Sequence, residues 1–218
     1  MKYCTAIGRK SSFTSSKVNI EEIISIVSWE LLEKNGKRNG PIFGINDRQG
    51  RNFPEIIFEA YSELDWYIND PDKINACIIN GVSVIQQDID AGIHNYKGMG
   101  FDVAVMASSI QCLRKPRDAM KNILKVANEC VITLPNFGNW ELRLGILNGK
   151  MPSSAQLPAK WYETKNLHLC TIADFEELCR EESFAIKKNV YLNRKGKSTW
   201  LANKLPNLFA AQAVYLIG

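Results

Sequence analysis

The chain has 218 residues, of which 45% are hydrophobic, 10% aromatic and 23% charged, values that exclude disordered and collagen-like classes. Its length suits one domain of roughly 200 residues, able to bury about 70% of the surface exposed by the unfolded chain. The 27 basic and 23 acidic residues leave a net charge of +4, too mild to mark a nucleic-acid binder, and the longest apolar stretch near the C-terminus, 208–217, is broken by Gln212 and falls short of the roughly 20 residues of a membrane span.

Residues 1–18 hold no acid and are rich in Ser, Lys and Arg. They weakly resemble a transit sequence but lack the apolar core of a secretory signal, and are read as an unstructured N-terminus ahead of a single domain over 19–218. Asn19 and Glu22 have the capping-box form, and Ile20, Ile23, Ile24, Val27 and Leu31 share one helical face, so a helix is expected up to Gly36. The run 41–45 reads as a first buried strand with a polar loop, 46–50, behind it. Pro54 suits the first turn of a helix carrying Ile56, Ile57 and Phe58. A second strand is expected at 64–68. Asp70 and Pro71 then fit the N-cap and first position of a helix that turns Ile74, Cys77 and Ile78 inward and closes at Gly81.

Strands three and four are expected at 82–85 and 101–106, a helix from Pro116 through Met120, Ile123, Leu124 and Ala127, and a fifth strand at 130–134. A stretch containing Trp and Pro, 136–169, interrupts the rhythm before Thr171-Ile172-Ala173-Asp174, a second capping-box form, opens a helix with Phe175, Leu178 and Cys179. Segments 184–192 and 213–217 read as an antiparallel hairpin joined by a basic loop. This alternation predicts an α/β, doubly wound, mostly parallel seven-stranded sheet closed by a C-terminal antiparallel hairpin, which resembles the class I methyltransferase (Rossmann-like) form.

Ligands of such sheets bind outside the carboxyl ends of the strands. A nucleotide-like cofactor there needs close backbone approach at glycines and an acid that accepts from ribose hydroxyls. The first loop offers Gly44, Asn46 and Gly50, but Arg48 and Gln49 bring bulk and charge to the same turn. Asn69 follows the second strand, beside Asp70, which is equally explained as a helix cap. Asp88 follows the third strand and could face an adenine amino group or form a turn with Asp90. His168 and Cys170 would point to one side of an extended chain, yet no third group orients them as a nucleophile and its base. The six cysteines form no CxxC pair and suit reduced, buried thiols of a cytoplasmic protein, and two histidines exclude a histidine-rich metal site. No catalytic set stands out. After Glu182 no acid occurs, whereas Lys187, Lys188, Arg194, Lys195, Lys197 and Lys204 follow. They form either a solvated rim or a docking face for an acidic partner.

From Asp70 onward the chain resembles the MetW family of methionine-biosynthesis proteins, which have a methyltransferase-like fold. The resemblance rests on Gly81-Val82-Ser83-Val84-Ile85-Gln86-Gln87-Asp88, on Phe101-Asp102-Val103 with Gln111, on Leu134-Pro135-Asn136-Phe137-Gly138-Asn139-Trp140, close to the family's PNFGHW with Asn139 for His, and on Trp161-Tyr162-Glu163-Thr164, Asn166-Leu167-His168-Leu169-Cys170-Thr171 and Leu205-Pro206-Asn207-Leu208-Phe209-Ala210. It covers about 150 residues, two-thirds of the chain. Upstream, residues 42–50 stand opposite the family's VLDLGCGDG loop and keep only its last glycine, Gly50; Gly44 takes the place of the acid, Asn46 and Arg48 those of glycines, and Ile68 that of the ribose-binding Glu. The resemblance implies S-adenosylmethionine as cofactor, and these replacements imply that its binding is weakened or lost. It also implies a homoserine O-acyltransferase, acetyl or succinyl, as partner, with this chain as its accessory protein and regulator. Asn136, Phe137, Trp140, Trp161, Tyr162 and His168 are the expected partner-binding residues, their aromatics being of the types enriched at interface hot spots. The same aromatics could instead cap the cleft, and His168 could be a hydrogen-bonded structural histidine. The alternative function is that of an active S-adenosylmethionine-dependent methyltransferase acting on a small molecule.

Overall fold

Residues 4–10, 61–68, 84–86, 89–91, 101–107, 109–152, 160–164 and 167–218 are described by the computed structural model. Their strands are β1 (Cys4–Lys10), β2 (Tyr61–Ile68), β3 (Val84–Gln86), β4 (Phe101–Ala107), β5 (Ala127–Pro135), β6 (Ile186–Leu192) and β7 (Gln212–Ile217), hydrogen-bonded in the order β3-β2-β1-β4-β5-β7-β6. The helices are α1 (Pro116–Ile123), α2 (Trp140–Leu147), α3 (Ile172–Glu181), α4 (Trp200–Lys204) and α5 (Pro206–Phe209), with single 3-10 turns at Ile89–Ala91 and Ile110–Cys112.

The core follows from side-chain alternation. Residues 130–135 of β5 and all six residues of β7 are buried, the pattern of strands covered on both faces. In register, Ala104 pairs Cys130, Met106 pairs Ile132, and Ile132 pairs Tyr215, so these residues share one face. Met120 and Ile123 of α1 and Ile172, Phe175 and Cys179 of α3 belong to the same buried cluster. Their spacing of three or four residues is what turns one helical stripe toward a sheet. The opposite face, with Val105, Val131, Thr133 and Val214, is buried as well.

A carboxylate borders this core. Glu176 of α3 accepts hydrogen bonds at Oε1 from Tyr191 Oη and Tyr215 Oη, both at 2.8 Å. The Tyr215 ring is fully buried and stacks at 4.7 Å on Phe175. Burial and the neighbouring carboxylate hold both phenols in the protonated form: Tyr191 is pushed up to about 12, and Tyr215 rises further.

Several elements agree with their sequence signals. Thr171 Oγ1 accepts from the Asp174 amide while Asp174 accepts from the Thr171 amide, a complete capping box on α3. Pro116 opens α1, and β6 and β7 pair antiparallel. Other expectations need correction. The sheet is mixed, not the mostly parallel seven-stranded sheet expected. Its part with described side chains has four strands, β4, β5, β7 and β6, and parallel pairing is confined to β2–β3 and β4–β5. The cause is that β7 enters between β5 and β6 and runs against both, and that β1 runs against both β2 and β4. β1 falls inside the segment 1–18, where the sequence predicts no structure. The α1 helix stops at Ile123, because the next turn leads the chain back to the sheet, with Phe101 N donating to Val126 O at 3.1 Å and Ala127 opening β5. The linker between β6 and β7 is no simple basic loop, since it folds into α4 and α5, the first capped by Thr199 and the second opened by Pro206. The helices expected at 20–36, 54–58 and 70–81 and the strand at 41–45 lie outside the described residues.

Candidate functional site

The carboxyl ends of β4, β5 and β6 and the start of β7 align along one edge of the sheet: Ala107 stands beside Thr133, Pro135 beside Gln212, and Leu192 beside Gln212. The segments that begin at 109, 136 and 193 all leave from that edge, where ligands of such sheets are met.

Asn136 ties these segments together. Its side chain is buried, its Nδ2 donates to the carbonyls of Ala210 at 2.8 Å and Asn207 at 3.2 Å, and its Oδ1 accepts from the amides of Gly138 at 2.9 Å and Ile172 at 3.3 Å. One amide thus joins the end of β5, the start of α3 and α5. Gly138 is required by the same closeness: a Cβ there would stand 2.8 Å from Asn207 Oδ1 and 3.0 Å from Asn136 Oδ1. Asn139 caps α2 by accepting from the Glu141 amide and also donates to Ala210 O at 3.0 Å. Arg143 Nε donates to Gly138 O at 2.6 Å, and Arg194 pairs with Glu141 at 2.8 Å, which holds the β6–α4 turn against α2.

Gln111 plays the corresponding part after β4. Its backbone carbonyl accepts from the amides of Leu167 and His168, both at 2.9 Å, and its Nε2 donates to Pro135 O and to Cys170 Sγ, both at 3.1 Å. Its Oε1, like Ser109 Oγ, is buried with no hydrogen-bond partner among the described residues, which is unusual for oxygens at this depth. Asp90 holds the same turn from outside by accepting from the amides of Arg114 and Lys115 at 2.9–3.0 Å. Burial pushes the Cys170 thiol up, the bond from Gln111 draws it partly back and the Asp174 carboxylate adds to the rise. A thiol held protonated is a poor nucleophile. His168 turns its Nε2 to the Arg114 carbonyl at 3.4 Å, so His168 and Cys170 have separate partners.

The six residues expected at a partner surface therefore divide. Asn136 is spent inside the protein and offers no surface; the polar amide that suggests contact is consumed by backbone groups. Phe137 is half-buried. Trp140, Trp161, Tyr162 and His168 are exposed, with Trp161 71% accessible and packed edge-on against Tyr162 at 5.5 Å. The expected cofactor residues Gly44, Asn46, Gly50, Asn69 and Asp88 lie outside the described residues. Two features were not anticipated. The oxygens of Ser109 and Gln111 had no signal beyond polar residues following an apolar strand. The second is an apolar surface. All twelve exposed large hydrophobic side chains among the described residues lie between Trp140 and Leu205, on segments leaving this edge, and none lies on a strand, α1 or α3. The described residues contain no group of three His, Cys, Asp or Glu side chains that could hold a metal, and no helix among them is long and apolar enough to cross a membrane.

The segments gathered along the carboxyl edge of this mixed α/β sheet lie where ligands of such folds are met. Among solved structures, the [4+2]-cyclase SpnF shares this fold, with a TM-score of 0.51 at 11% identity over 97% of this chain and 87% of that one. A SAM-dependent methyltransferase, possible histamine N-methyltransferase, of Thermotoga maritima matches with a TM-score of 0.45 at 14% identity over 67% of this chain and 69% of its own. The family is more specific: the model of the methionine biosynthesis protein MetW matches residues 66–217, and the chain belongs to that family. A curated relative, the bifunctional methionine biosynthesis protein MetXA/MetW of Rhodopirellula baltica, is 24% identical over 145 residues, which are 66% of this chain and 23% of the relative's length. The chain thus spans about a quarter of that relative.

Proposed function

We propose that this protein is a methionine-biosynthesis accessory subunit that binds and regulates a homoserine O-acyltransferase, and that its own S-adenosylmethionine site is weakened or lost. The observation that carries this reading is that the exposed large apolar side chains among the described residues all fall on segments leaving the carboxyl edge, within the family-matched residues 66–217. Exposed apolar area gathered in one place marks a surface that another molecule covers. The relative's name joins a MetXA part and a MetW part in one bifunctional protein, and two functions joined in one chain are kept at high effective concentration. In this reading Phe137, Trp140, Trp161, Tyr162 and His168 face the partner, while Asn136 sets the shape of the loop that carries them. The complex acts in the cytoplasm and involves neither nucleic acid nor membrane.

The weakened cofactor site follows from residues. Arg48 and Asn46 replace glycines where a backbone should meet the ligand, and no acid stands at Ile68. What favours the second reading, a methyltransferase acting on a small molecule, is the pair of unpartnered oxygens of Ser109 and Gln111 at the end of β4. Hydrogen-bonding capacity left open beside this edge is what a polar cofactor such as S-adenosylmethionine would draw on, and when bound it would supply an activated methyl group. Calorimetry decides between them. The accessory reading predicts no heat from S-adenosylmethionine at micromolar concentrations and co-purification of the acyltransferase from cells expressing both. Micromolar cofactor affinity with no retained acyltransferase would replace it with the second.

A further inference from the structure

We infer that α4 and the basic turn before it form a second docking element, which seats Trp200 and Leu201 in an apolar pocket of the acyltransferase rimmed by carboxylates; this rests on the accessory-subunit reading above. Trp200 is 69% accessible, and Leu201 and Leu205, four residues apart and so on one face of the turn, are exposed as well. Lys204 lies over the Trp200 ring, 4.9 Å from its centroid, a geometry that presents the indole and the ammonium together. Lys195 and Lys197 are exposed beside them, and no acid occurs anywhere after Glu182.

The occupant is set by this chemistry. Five helical residues are too few to lie along a lipid interface, where an amphipathic helix needs a long apolar face. An exposed Trp with an ammonium on its ring, in a stretch of chain without acids, suits a protein partner that offers an apolar pocket and carboxylates. The patch also continues the aromatic surface of α2: Arg194 pairs with Glu141, and Asn139 and Asn136 bond to carbonyls of the α5 segment. One partner can therefore cover both.

Trp200→Ala is the direct test. The side chain is 69% accessible, so the fold should be kept, as checked by an unchanged urea midpoint. Binding of the full-length variant to the purified homoserine O-acyltransferase of the same organism should weaken by about tenfold or more, the loss expected for a hot-spot Trp. The combined Lys195→Glu, Lys197→Glu and Lys204→Glu variant should bind still more weakly and lose most of its salt dependence. Lys125→Glu, an exposed residue just before β5 at the opposite edge, should bind like wild type. Wild-type affinity in the Trp200→Ala and triple variants would overturn the inference and leave the accessory role standing. Equal losses in the triple and Lys125→Glu variants would also overturn it, by showing a general charge effect. So would capture of the wild type on anionic vesicles that is lost in Trp200→Ala while acyltransferase binding persists. No binding of the wild-type protein at all would instead remove the reading beneath it.

Discussion

Replacing Asn136 by alanine separates an internal strut from a contact residue. Its amide makes four hydrogen bonds at 2.8–3.3 Å to the backbone of Gly138, Ile172, Asn207 and Ala210. At a net value of about 1 kcal/mol for each such bond, with the Gly138 and Ile172 amides left behind in a buried setting, the loss should be about 3–4 kcal/mol. With a urea slope of about 2 kcal/mol per molar, the unfolding midpoint should fall by roughly 2 M without a change of slope. Urea melts followed by tryptophan fluorescence measure this directly. Asn136→Asp should do no better, because it keeps the acceptors but turns a buried carboxylate toward two carbonyls. A midpoint within 0.5 M of wild type (~1 kcal/mol) together with weakened acyltransferase binding would refute the reasoning and return Asn136 to the surface role that its sequence context suggests.

Three further outcomes are expected. Gly138→Ala should cost about 2 kcal/mol in the same melts, since its new methyl meets the Asn207 and Asn136 oxygens at 2.8–3.0 Å; an unchanged midpoint would mean that α5 can withdraw freely. The phenol of Tyr191 ionises near 12 in the folded protein against 10 when free, so its stabilising contribution is complete below pH 10 and is lost as pH rises toward 12. Melts at pH 9, 10 and 11 should show falling stability, and Tyr191→Phe should make that fall shallower; an identical slope in the variant would show that other groups cause it. Burial raises Cys130 far above the ordinary thiol range and Cys179 to about 11. Iodoacetamide at pH 8 should therefore leave both unlabelled in the native protein, and labelling faster than global unfolding would contradict the packing around β5 and α3.

Local signals in the sequence were read well where one residue decides one interaction. Thr171 and Asp174 cap each other as their spacing requires, Pro116 starts α1, and the apolar run of β5 is a buried strand. Pairing direction was not legible, since neither Cys4–Lys10 nor any short apolar segment states which neighbour it will meet or which way it will run. Asn136 was misjudged because an amide between Pro and Phe looks like a loop residue, and only the return of residues 206–210 from far along the chain supplies the carbonyls that consume it. The helices within 200–209 were hidden by their brevity, although Thr199 and Pro206 are ordinary helix openers. Trp200 itself was visible in the sequence, but its exposure depends on where α4 leaves the sheet.

The position of β6 gives part of the basic C-terminal charge a separate use. Among the described residues this strand forms the outer margin of the sheet, bonded to β7 alone, with a register shift between Ile186 and Lys188. An open margin of unpaired amides and carbonyls invites a strand from another molecule to add itself. Here the margin carries Lys187, Lys188 and Asn189 in exposed positions, so a second copy approaching in register would set lysines against lysines along an irregular backbone. Lys187 instead turns inward past β7 to pair with Glu129 of β5 at 3.0 Å, so the repulsive charge at the margin is that of Lys188. Lys188 thereby sets a charge at the side of the sheet, while Arg194, Lys195, Lys197 and Lys204 follow on the segments that leave its carboxyl edge.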